Sequence, residues 1–70
     1  MTINQILDDA LEINKNKELG IYTDNEVFML YGFSTESKTE VYDFAERFPY
    51  AIVDEENGEM SITLYKEDIL

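Results

Sequence analysis

Between Ile52 and Tyr65 the chain reads IVDEENGEMSITLY, with four carboxylates, Asp54, Glu55, Glu56 and Glu59, crowded around an Asn57-Gly58 pair. Carboxylates in such numbers can ligate a cation, keep a small chain in solution, or meet a basic partner. A calcium-binding EF-hand loop takes acidic or amide ligands at positions 1, 3 and 5, glycine at 6 and glutamate at 12. Counted from Asp54, Gly58 falls at position 5 and Tyr65 at position 12, so the pattern fails. A tight hairpin would also send alternate carboxylates to opposite faces. No functional metal and no cofactor is expected. Acid–base and nucleophilic catalysis have little to draw on, because the chain has no histidine and no cysteine. Ser37 and Lys38 are adjacent, and helical neighbours point about 100° apart, which separates them as a dyad. The expectation is a binding protein without enzymatic activity.

Two further acidic runs accompany the first: Asp8, Asp9 and Glu12 in one segment, Glu36, Glu40 and Asp43 in another. A single charge run is ordinarily a solvated face. Three runs in 70 residues, with a formal net charge of −11, exceed the charge of about 2–8 that solubility requires. Self-repulsion at that density opposes a compact fold. Nucleic acid and anionic membrane surfaces are polyanions and make poor partners; a basic protein surface makes a good one. Duplex DNA carries one charge per about 1.7 Å of axis, and carboxylates spaced along a helix or hairpin imitate that density.

The elements that must position these groups follow from periodicity. In TINQILDDALEINKNKE, Thr2 and Gln5 have capping-box spacing, and Ile3, Ile6, Leu7, Ala10, Leu11 and Ile13 recur at helical intervals. Asp8, Asp9 and Glu12 take the other face, and Lys15 and Lys17 near the C-terminal end suit the helix dipole. GIYTDNEVFMLYGF has strand composition from Glu26 to Phe33, with apolar residues on both alternating faces. Thr23-Asp24-Asn25-Glu26 is either a hairpin turn through Asp24-Asn25 or a second capping box. Gly32 and the aromatic density favour strands, with Leu19–Thr23 as a strand or a loop. STESKTEVYDFAERFP predicts a second helix, capped by Ser37 with Glu40 or by Ser34 in a longer version. Val41, Phe44, Ala45 and Phe48 form its apolar stripe, Pro49 ends it, and Arg47 follows Asp43 at the spacing of a local ion pair.

Asn57-Gly58 between two strand-like runs signals a two-residue type I′ turn, which needs positive φ at both positions. Pairing across that turn sets Val53 against Ile62, Ala51 against Leu64 and Glu55 against Met60 on one face. The other face carries Tyr50, Ile52, Asp54, Glu56, Glu59, Ser61, Thr63 and Tyr65. Glu56 then opposes Glu59, a like-charge pair that works against the hairpin it flanks. Tyr50 opposes Tyr65, and tyrosine suits interfaces because its ring buries area while its hydroxyl finds a partner. Pattern alone leaves open whether a helix covers this face.

Length and composition bound the rest. Residues 1–70 make one acidic domain near the lower limit for a self-sufficient core. At 44% hydrophobic residues it is too apolar for a disordered acidic tail. Without cysteine there is no sign of an oxidising compartment. The N-terminus lacks the basic residues of a signal peptide, and no apolar run approaches the roughly 20 residues of a membrane span, so a cytoplasmic protein is expected. The expected fold is α+β: two amphipathic helices on a small antiparallel sheet, in the order α-β-β-α-β-β.

In size, charge and architecture the whole chain resembles small acidic phage-encoded inhibitors of host defence, namely anti-CRISPR proteins and DNA-mimicking anti-restriction proteins. The resemblance implies an inhibitor in the host cell cytoplasm that occupies the nucleic-acid-binding surface of an RNA-guided nuclease or restriction enzyme. It assigns no site residues. The composition is also similar to that of small immunity proteins that neutralise basic nuclease toxins. The residues expected to dock are Tyr50, Ile52, Asp54, Glu56, Glu59 and Tyr65 on the hairpin, with Glu36, Glu40 and Asp43 on the second helix. The rival expectation is a structural or regulatory homodimeric phage protein, whose charge serves solubility alone.

Overall fold

Thr2 starts the first helix as its spacing predicts. Its Oγ1 accepts from the Gln5 backbone N at 3.2 Å, and Gln5 Oε1 accepts from the Thr2 N at 2.9 Å. The computed structural model describes residues 2–69, and α1 runs Ile3–Ile13. The helix stops before the polar tail that follows. Asn14 caps it, and Lys15 and Asn16 turn left-handed at φ 55° and 62°. Lys15 and Lys17 therefore stand beyond the last turn, which holds no basic residue, and the dipole argument for them fails.

β1 (Gly20–Thr23) and β2 (Val27–Ser34) form an antiparallel hairpin, so the segment from Leu19 to Thr23 is largely strand. Asp24 makes the turn. Its Oδ1 accepts from the backbone N of Glu26 at 2.8 Å and of Val27 at 2.9 Å. A helix cap uses the same side-chain chemistry, so Thr23–Glu26 carries the signature of both. After β2, Ser34 Oγ accepts from the Glu36 N at 3.2 Å and opens a 3₁₀ turn, Thr35–Ser37. α2 (Lys38–Ala45) follows. Ser37 forms no cap; its hydroxyl donates to the Ile13 carbonyl at 3.0 Å and ties the start of α2 to the end of α1. β3 (Ile52–Glu56) and β4 (Glu59–Tyr65) meet at the Asn57-Gly58 turn, whose φ values of 54° and 79° are those a type I′ turn requires. A four-residue helix, α3 (Lys66–Ile69), which periodicity did not announce, follows β4.

The fold is α+β, in the order α-β-β-α-β-β plus the short last helix, and the sheet order is β1-β2-β4-β3. Phe28 and Leu30 of β2 face the same way as Met60, Ile62 and Leu64 of β4, and they bury with Ile6, Ala10, Val41, Phe44 and Phe48. Both α1 and α2 thus lie on one side of the sheet. Strict alternation along β2 would turn Phe33 away from this core. Gly32 prevents that: the register steps from Tyr31 opposite Ser61 to Phe33 opposite Met60, and the extra residue bulges at φ 94°.

The bulge is clamped by Asn14, which is only 2% exposed. Asn14 Oδ1 accepts from the Ser34 N at 3.0 Å, and its Nδ2 donates to the carbonyls of Gly32 at 3.3 Å and Lys17 at 3.4 Å. One buried amide therefore joins the end of α1, the following loop and the bulge. No helix among the described residues is long and apolar enough to cross a membrane.

Candidate protein-binding face

The side of the sheet away from α1 and α2 is built in cross-strand rows. Tyr22, Met29, Thr63 and Ile52 stand in register, and beside them Gly20, Tyr31, Ser61 and Asp54. Beyond the bulge the hairpin tip adds Ser34, Glu59 and Glu56; at the other end Val27 faces Tyr65. Tyr22, Tyr31 and Ile52 each leave about half their surface in solvent: 52%, 47% and 47%. The Tyr31 ring lies over Gly20, where a Cβ would collide with it, so glycine in the edge strand makes room for the ring. The result is a bed of aromatic and aliphatic side chains that no helix among the described residues shields.

Carboxylates border one end of this bed. Asp54, Glu56 and Glu59 share a shallow hollow with Tyr31, Met29 and Asn57, above the bulge at Gly32. Glu56 and Glu59 are direct cross-strand partners, as the turn predicts. Among the described residues, no group of acidic side chains is arranged to hold a metal ion.

The cations lie elsewhere. Lys38 Nζ meets Glu55 Oε1 at 3.1 Å on the helical side, and the hydrogen bond and charge of Glu55 raise the Lys38 pKa above its ordinary value. Arg47 does not pair with Asp43. Its Nη1 lies 3.2 Å from Asp9 Oδ2 on α1, and its guanidinium sits 5.4 Å from the Phe44 ring centroid. Both ion pairs are half-exposed and contribute little stability, but they spend two of the five basic side chains on the helical layer. Lys66 reaches Thr23 Oγ1 at 3.4 Å at the Tyr65 end, and no lysine or arginine stands in the rows of the open face.

The expected docking residues thus separate into two groups. Ile52, Asp54, Glu56, Glu59 and Tyr65 belong to the open face, whereas Glu36, Glu40 and Asp43 belong to the 3₁₀ turn and α2 in the helical layer. The two sets do not share one surface. Tyr50 corrects the pairing expected for it. β3 begins at Ile52, so neither Ala51 against Leu64 nor Tyr50 against Tyr65 is a rung of the ladder. Asp68 brings the two tyrosines together by another route: Oδ1 accepts from the Tyr50 N and Oδ2 from the Tyr65 N, both at 3.0 Å. With Glu67 the two tyrosines line a second shallow hollow.

Tyr22, Met29 and Tyr31 join the face although the hairpin pattern around Asn57-Gly58 does not point to them. The signal for Met29 and Tyr31 lies in the apolar residues on both faces of β2, one face for the core and one for the bed, and Tyr22 joins them through the register of β1 on β2. Asp68 had no local signal, because its partners are made by tertiary contact. No protein-family model, curated protein or solved structure matches this chain.

Proposed function

We propose that the chain is a non-enzymatic inhibitor that docks its open sheet face on the basic, nucleic-acid-binding surface of a nuclease, of the RNA-guided or restriction type. One observation carries this reading: a half-exposed bed of Tyr22, Tyr31 and Ile52 is bordered by Asp54, Glu56 and Glu59, with no cation in its rows. Large aromatic side chains supply the buried anchors of an interface, and charged groups at its rim steer the encounter and set specificity. The Glu56–Glu59 pair disfavours the hairpin by about a few tenths of a kcal/mol, so sheet stability is not its reason. Local folding rules are commonly broken at sites that serve a partner. Nucleic acid is a poor ligand for this face because it repels phosphates. A second copy of the chain, itself at −11, is repelled in the same way.

The test is displacement. A protein captured from a host lysate on the immobilised chain should be released by short duplex DNA or by guide RNA. Its nuclease activity should fall when the free chain is added. A captured protein that neither nucleic acid nor moderate salt displaces would refute the reading.

A further inference from the structure

The hollow at the Tyr65 end of the open face brings two tyrosines to one carboxylate, Glu67. Tyr50 is 63% exposed, and a side chain that open in a turn would ordinarily sample many positions. Here the backbone beneath it is held. The Asp68 carboxylate bridges the Tyr50 and Tyr65 N–H groups at 3.0 Å each, fixing the turn before β3 to the end of β4. The Lys66 N donates to the Glu26 carbonyl at 3.0 Å and anchors the same end from the β2 side. The Lys66 ammonium points to Thr23, so the nearest cation of the chain does not fill the hollow.

We propose that this hollow receives one arginine side chain of the partner, with the guanidinium against the tyrosine rings and Glu67 accepting from its N–H groups. The inference rests on the docking reading for the identity of the partner, and it names what this end of the face grips. A planar guanidinium matches the site on both counts, since it stacks on aromatic rings and presents a fork of donors to a carboxylate. A lysine ammonium offers a point charge without the stacking plane, and a neutral side chain would bring Glu67 no opposite charge.

The test uses the full chain alone, so its failure is distinguishable from failure of the docking reading, which DNA displacement decides. The chain, labelled for NMR, is titrated with N-acetyl-arginine amide, N-acetyl-lysine amide and the uncharged isostere N-acetyl-citrulline amide. Arginine amide should shift the Tyr50 and Tyr65 ring signals and the Glu67 signals saturably, with lysine amide weaker and citrulline amide inactive. Tyr50→Ala and Glu67→Gln should each weaken arginine binding about fivefold. Both side chains are exposed, so both variants should keep the wild-type spectrum elsewhere. Shifts that spread over Asp54, Glu56 and Glu59 while Tyr50 and Tyr65 stay still would overturn the proposal. So would citrulline amide binding as well as arginine amide.

Discussion

Asn14 shows how much one side chain can carry in a core this small. Its amide satisfies the Ser34 N–H at good distance and the Gly32 and Lys17 carbonyls at longer range. Asn14→Ala should cost about 1–3 kcal/mol, because a donor and an acceptor at the bulge lose their partner. In a domain of this size that is a fall of about 5–20 °C in the thermal midpoint. A midpoint within a degree of wild type would remove the clamp from the account. Asp24 makes a prediction about pH. Its carboxyl is held below the ordinary 3.8 by the N–H of Glu26, then that of Val27, with smaller help from the Tyr22 hydroxyl and the Lys66 charge. A folded pKa below the unfolded one stabilises above the unfolded value, and this is lost as pH falls through the folded one. Net repulsion among the carboxylates acts with the opposite sign, since protonation relieves it. The midpoint should therefore rise from neutral pH towards about pH 5 and fall again below about pH 4. Asp24→Asn should weaken the acid limb without abolishing the rise. A midpoint that fell steadily from pH 7 would contradict the balance.

The elements divide by whether their determinants are local. Asn57-Gly58 sets a whole register by itself, from Ile52 opposite Thr63 to Glu56 opposite Glu59, because a two-residue type I′ turn leaves no other pairing. Asn57→Pro should accordingly be severe, since proline cannot take φ 54°; a loss of more than about 10 °C in midpoint is expected by thermal melting. A retained midpoint would show the turn to be dispensable. The capping box at Thr2 and Gln5 was equally legible, and so was the apolar stripe of α2. What the sequence concealed depends on distant parts of the chain. The bulge at Gly32 decides that Phe33 enters the core, and its clamp, Asn14, lies 18 residues away. Of the two caps the spacing offers, Ser34 takes the role at the 3₁₀ turn, while the Ile13 carbonyl takes the Ser37 hydroxyl. Arg47 likewise has an acidic residue at helical spacing and chooses Asp9 on the other helix. The candidate site was legible to the same extent. The hairpin carboxylates could be placed from the turn alone, while Tyr22 and Tyr31 needed the first hairpin's register, and the Tyr50–Tyr65 hollow needed Asp68.

At the scale of the whole molecule, charge is distributed unevenly over two sides of one sheet. The helical layer binds two cations into ion pairs, and among the described residues no cation pairs with the carboxylates of the open face. With a net charge of −11, added sodium chloride should raise the thermal midpoint from low to moderate concentration as repulsion is screened; a steady fall would contradict this. The measurement closest to the central claim is the salt dependence of partner affinity for the Glu56→Gln/Glu59→Gln double variant beside wild type. Removing the like-charge pair should leave the fold as stable or slightly firmer. Binding should weaken by about 1–3 kcal/mol, and the slope of log Kd against log salt should flatten. The matching triple variant of the helical layer, Glu36→Gln/Glu40→Gln/Asp43→Asn, should bind with near wild-type affinity. If the hairpin variant instead binds as tightly as wild type at every salt concentration, the open face is not the docking surface.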